Sequence, residues 1–90
     1  MNYNRVLVIE DDRPLMLICK KVLSYLPEWN ASFCSNYEDA IATIFKNEFD
    51  VIITDGVTDS VVNGECFLGV VSLISPNSMR VLVSRSLLPV

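Results

Sequence analysis

Histidine is absent from this sequence, and that absence removes several chemistries at once. A Ser-His-Asp triad cannot be assembled within the chain, and neither can a histidine nucleophile. The three cysteines, Cys19, Cys34 and Cys66, are widely spaced, odd in number and never in a Cys-x-x-Cys pair. With no imidazole to complete a ligand set, this argues against zinc. Each sits among apolar neighbours, so buried thiols in a reducing compartment are expected. No apolar run approaches the roughly 20 residues that span a bilayer, and the polar start shows no leader pattern, so no membrane partner is expected. Basic residues are few: seven against eleven acids, a formal net charge of −4. That balance argues against direct nucleic-acid binding, which needs a basic patch. Lys20 and Lys21 are the only adjacent basic pair and are expected on the solvated side of a helix. Glycine is also sparse, and no glycine-rich loop follows the first apolar run, which counts against a phosphate-cradling cofactor site.

What is present is a globular composition. About half of the 90 residues are apolar and a fifth are charged, enough for one small domain with a core of its own. Three short runs, Val6–Ile9, Val51–Thr54 and Arg80–Ser84, are rich in branched residues. Their apolar stretches are unbroken rather than alternating, as in parallel strands covered on both faces. Ala31–Cys34 is a weaker strand. Between them lie helical patterns. Asp12 can cap a helix with Pro14 in its first turn and Leu15, Ile18, Cys19, Val22 and Leu26 on its apolar face, closed by Pro27. Ser35-Asn36-Tyr37-Glu38 has capping-box spacing before a face of Ala40, Ile41, Ile44 and Phe45. Asn63 can cap a third helix carrying Phe67, Leu68, Val71 and Ile74, and Ser75–Ser78 breaks it. Strands and helices thus alternate, which predicts a doubly wound parallel sheet of about four strands and three helices.

In such a sheet the ligand site lies at the carboxyl ends of the strands. The first strand ends in Glu10-Asp11-Asp12, the third in Thr54-Asp55-Gly56 and the fourth in Ser84-Arg85. Neighbouring strands would crowd these carboxylates together. Two such charges 4 Å apart repel by about 4 kcal/mol at an effective dielectric of 20. Either protons or a cation must relieve them. Oxygen donors alone favour a hard ion, Mg²⁺ before Ca²⁺. A carboxylate beside that ion can attack a phosphoryl donor, and the Ser84 hydroxyl can hydrogen-bond the product. Each motif has a plainer reading alone: acids at a helix N-terminus for Glu10–Asp12, a turn-forming Asp-Gly for Asp55. Their joint occurrence after apolar strands favours a pocket.

Val6-Leu7-Val8-Ile9-Glu10-Asp11-Asp12, Asp50-Val51-Ile52-Ile53-Thr54-Asp55 and Val81-Leu82-Val83-Ser84 together resemble the receiver domains of bacterial two-component response regulators, in order and over the whole chain. The resemblance implies a flavodoxin-like fold and a signalling module rather than an enzyme. It implies Mg²⁺ held by Glu10, Asp11, Asp55 and the backbone carbonyl of Val57. It implies Asp55 as the residue phosphorylated by a histidine kinase or phosphotransfer protein, and Ser84 as the switch hydroxyl that moves toward the phosphoryl group. A cytoplasmic location follows from such a partner.

The sequence departs from the family pattern in five places. No Met-Pro follows Asp55, and the next glycine after Gly56 is Gly64, nine residues beyond Asp55 where the family has one at eight. Asp59 adds charge near the site, and Arg85 replaces the small residue usual after the switch hydroxyl. Nothing matches the family's later Lys-Pro, so residues 1–90 read as the N-terminal part of a receiver, without its last strand and helices. The expected consequence is an unprotected edge on the fourth strand and self-association burying Val81, Val83, Leu87 and Leu88. A degenerate receiver that binds partners without phosphorylation is the alternative. An aspartate-nucleophile phosphatase of the haloacid-dehalogenase kind is a weaker one, because Val57 stands where that family has its second Asp.

Overall fold

A computed structural model describes residues 4–55 and 64–83, and of residues 55, 64 and 65 the backbone alone. Strands and helices alternate: β1 (Asn4–Ile9), α1 (Arg13–Ser24), β2 (Trp29–Cys34), α2 (Tyr37–Lys46), β3 (Val51–Asp55), α3 (Gly64–Ile74) and β4 (Met79–Val83). The four strands form one parallel sheet in the order β2-β1-β3-β4. The doubly wound arrangement expected from the alternation is therefore the one observed.

The strand order decides which helix covers which face. The chain steps outward from β1 to β2, returns past β1 to β3, and continues to β4. Right-handed crossovers then place α1 on one face and α2 and α3 on the other. The core follows this division. Leu7, Ile9 and Ile52 of the sheet pack with Ala40 and Ile44 of α2 and Phe67 and Val71 of α3, all buried. Tyr37, at the start of α2, stacks on Phe67 with ring centroids 4.4 Å apart. Its hydroxyl accepts a hydrogen bond from Thr54 Oγ1 at 3.1 Å. Val8 and Ile53 point to the opposite face, where they line an apolar groove with Leu15 and Cys19 of α1.

Both described helix starts are capped from the sequence nearby. Asp12 accepts from the Leu15 backbone N–H, with Pro14 in the first turn of α1. In α2 the cap is Asn36 rather than Ser35: Asn36 Oδ1 accepts from the Asp39 backbone N–H at 2.7 Å, and its Nδ2 donates to the Asp39 carboxylate at 3.0 Å. The expected box is shifted by one residue because Asn36 is extended and its carboxamide both accepts and donates. Asn63, expected to cap α3, lies outside the described residues. At the opposite end of the sheet, Asp50 joins three strands. Its N–H donates to the Arg5 carbonyl, its carbonyl accepts from the Met79 N–H, and its carboxylate accepts from the Arg5 N–H, each at 2.8 Å.

Three sequence expectations about packing are corrected. Ile18 and Val22 of α1, and Leu26 beyond it, are exposed rather than core-facing. α1 has no fully buried residue, and its sheet-facing contacts come from Leu15, Cys19 and their neighbours. Phe45 on α2 is 70% exposed, because the inward arc of that helix is already filled by Ala40, Ile44 and Tyr37. Cys66 is exposed on α3, while Cys19 and Cys34 are half-buried thiols.

Candidate functional site

The carboxyl ends of β1 and β3 meet where the strand order reverses, the position at which open α/β sheets bind ligands. Ile9 and Thr54 are register partners. The residues that follow them, Glu10 and Asp55, therefore stand level on neighbouring parallel strands, whose backbones are about 4.8 Å apart. On the far side of β3, Asp55 pairs in register with Val83 of β4, and Ser84 is next in the chain. The described ends of β1, β3 and β4 are thus side by side in that order. Val57 and Ser84 themselves lie outside the described residues, as do Asp59 and Arg85.

Glu10 is buried, and its Oε1 accepts a hydrogen bond from the Asp12 backbone N–H at 3.1 Å. That bond holds the carboxylate against the turn leading into α1. Asp11 and Asp12 are half-buried beside it. The Cys19 thiol lies close enough to feel the Glu10 charge. Removal from water, reinforced by the Glu10 charge, pushes the Cys19 pKa above the ordinary thiol value. Among the described residues no three His, Cys, Asp or Glu side chains converge as a metal set. Glu10 and Asp11 supply oxygen donors, the donor type a hard divalent cation takes.

A cavity of about 460 Å³ opens between α1 and the end of β2, lined by Glu10, Asp11, Arg13, Lys20 and Phe33 among others. The Lys20 ammonium lies 5.5 Å from the centre of the Phe33 ring. Lys20 is exposed, as expected for the solvated side of a helix, and lines this cavity with Glu10 and Asp11. The signal was legible: Arg13, Met16, Leu17 and Lys20 share one helical face by their spacing. Which side of α1 they occupy depends on how the helix lies on the sheet.

No helix among the described residues is long and apolar enough to cross a membrane. No protein-family model and no curated protein sequence matches this chain. Solved structures do. The signal receiver domain of an HD domain-containing protein from Pseudomonas fluorescens Pf-5 superposes with a TM-score of 0.85 at 18% identity, over 92% of this chain and 65% of that one. The response regulator protein TrrA from Thermotoga maritima, solved in complex with Mg(2+)-BeF, gives 0.80 at 20% identity, over 90% and 69%. A structure of adenylate cyclase from Rhodopirellula baltica gives 0.80 at 22% identity, over 97% and 79%. The chain spans just under two-thirds of the length of the first of these. With β2-β1-β3-β4 parallel and α1 opposed to α2 and α3, it has the flavodoxin-like receiver fold of response-regulator domains.

Proposed function

We propose that this chain is a phosphoacceptor receiver: Asp55 takes a phosphoryl group from a phosphohistidine on a histidine kinase or phosphotransfer protein. The observation that carries the reading is the register that sets Asp55 level with the buried carboxylate of Glu10 at the reversal of strand order. The neighbour solved with Mg(2+)-BeF supports it. A carboxylate oxygen of Asp55 attacks phosphorus, the phosphorus–nitrogen bond of the donor breaks, and an acyl phosphate forms while the imidazole leaves. Mg²⁺ would be held by Glu10, Asp11, Asp55 and the Val57 backbone carbonyl. When bound, it supplies positive charge that offsets repulsion between the acids and the incoming phosphoryl group. The hydrogen bond from the Asp12 N–H orients Glu10 for that task. Ser84, next after the register partner of Asp55, is the hydroxyl that would receive the phosphoryl oxygens.

The reading makes the module a signalling acceptor rather than a turnover enzyme, cytoplasmic because its phosphoryl donor is. It also includes self-association on the β4 side. There Val81 is half-buried and Val83 about half exposed, while Leu87 and Leu88 lie outside the described residues.

Intact-mass measurement after incubation with Mg²⁺ and acetyl phosphate tests the function. A single phosphoryl adduct is expected on the parent, lost with EDTA and absent from Asp55→Asn. No adduct on a protein shown by circular dichroism to be folded, or an adduct that persists in Asp55→Asn, refutes it.

A further inference from the structure

Both strand ends of the acidic site are tied to one short segment of the chain. At the end of β1, the Glu10 backbone N–H donates to the Cys34 carbonyl at 3.0 Å. Near the end of β3, Thr54 Oγ1 donates to Tyr37 Oη at 3.1 Å. Cys34 ends β2 and Tyr37 opens α2, with Ser35 and Asn36 between them. That turn is itself fixed, because Asn36 caps α2 by accepting from the Asp39 backbone N–H at 2.7 Å. Residues 34–37 therefore form a bracket that reaches β1 on one side and β3 on the other.

The end of β3 is where such a tie matters. The ladder between β1 and β3 stops at Ile9 and Thr54, whereas that between β3 and β4 runs on to Asp55 and Val83. Thr54 is thus the last residue of β3 in register with both neighbours, and Asp55 is in register with one. Thr54 is fully buried, and Tyr37, also buried, is pinned by stacking on Phe67 of α3. The core cluster around Tyr37 is apolar, with Ile9, Ala40, Ile52 and Val71. A Phe and Val pair would fill nearly the same volume. Replacing both partners of a hydrogen bond by apolar groups of the same shape is close to neutral for stability. What the hydroxyl pair adds is direction, because a satisfied buried bond fixes how the strand end lies against the helix layer.

We infer that Tyr37 is a positioning residue for Asp55, acting through Thr54. This role rests on the phosphoacceptor reading above and deepens it by naming what holds the acceptor in place. Attack on phosphorus needs the reacting atoms about 3–3.5 Å apart and aligned, and a misplacement of about 1 Å can cost on the order of a hundredfold in rate. Asp55 takes its backbone position from the peptide that Thr54 anchors. Loss of the Thr54–Tyr37 bond loosens that peptide relative to Glu10, and with it the geometry of the acceptor.

The rate of adduct formation on the full chain, followed by intact mass with Mg²⁺ and acetyl phosphate, tests this role in variants shown by circular dichroism to be folded. Tyr37→Phe and Thr54→Val should each slow the reaction by about tenfold, a fraction of the cost of a full misplacement. Thr54→Ser keeps the hydroxyl and should run near the parent rate, although it removes a buried methyl group and loses stability. The Tyr37→Phe/Thr54→Val double variant should lose less stability than the two single variants together, yet stay slow. Rates that follow stability, with Thr54→Ser as slow as Thr54→Val or the double variant restored, leave the pair a packing role and overturn the inference. So do single-variant rates equal to the parent's. No adduct on the folded parent, or one that persists in Asp55→Asn, refutes the phosphoacceptor reading itself, and the positioning role falls with it.

Discussion

Removing the Tyr37 hydroxyl should cost stability out of proportion to one atom. Tyr37 is 2% exposed and Thr54 fully buried, and Thr54 Oγ1 donates to Tyr37 Oη at 3.1 Å. Tyr37→Phe keeps the ring stacked on Phe67, with centroids 4.4 Å apart, so the aromatic contribution survives. The loss is then the hydrogen bond and the solvation of what remains, about 1–2 kcal/mol. Tyr37→Ala would remove the ring as well, for about 3–5 kcal/mol by analogy with other buried aromatics. A small domain has a total stability of about 0.05–0.15 kcal/mol per residue, so the larger change approaches complete unfolding and the smaller one is measurable. Urea denaturation followed by circular dichroism is the assay. With a slope of about 1 kcal/mol per molar for a small protein, Tyr37→Phe should lower the midpoint by about 1–2 M at constant slope. Thr54→Val should do the same, and the double variant should fall short of the sum by about 0.5 kcal/mol or more. Strict additivity would refute the direct bond. Unchanged midpoints in both single variants would refute the burial.

Four further outcomes follow from the fold. Asn36→Ala should cost about 1 kcal/mol in the same assay, whereas Ser35→Ala should cost less, because Asn36 caps α2. Phe45→Lys and Leu73→Lys should stay within about 0.5 kcal/mol of the parent, since both side chains are mostly exposed. Gly69→Ala should stabilise by about 0.5–1 kcal/mol. Gly69 lies inside α3 and an added methyl meets nothing within 4 Å. In alkylation with iodoacetamide, exposed Cys66 should react before Cys19. Burial and the Glu10 charge both favour the protonated Cys19 thiol, so its labelling should rise only above the ordinary thiol pKa, and earlier in Glu10→Gln. Equal labelling of the two cysteines at neutral pH would contradict the packing of α1.

The helices show where sequence reading reaches and where it stops. Branched runs at Val6–Ile9 and Val51–Thr54, and the caps and breakers between them, were enough to place every element, because each signal acts within a few residues. For α1 the periodicity is also clear, yet Ile18 and Val22, which its spacing places on the core face, are exposed. The helix has two adjoining apolar stripes, and spacing alone does not say which one meets the sheet.

The acidic turn and Asp55 were recognisable because chemistry needs particular residue types after a strand, and residue types are what a sequence contains. Their adjacency was not contained there. It follows from the order β2-β1-β3-β4 and from the register that pairs Ile9 with Thr54. The sequence by itself determined the strands, the helices and the donor atoms, through local propensity and hydrophobic pattern. Which strand ends meet and which face of α1 is covered came from the tertiary structure, because those depend on contacts between residues far apart in the chain.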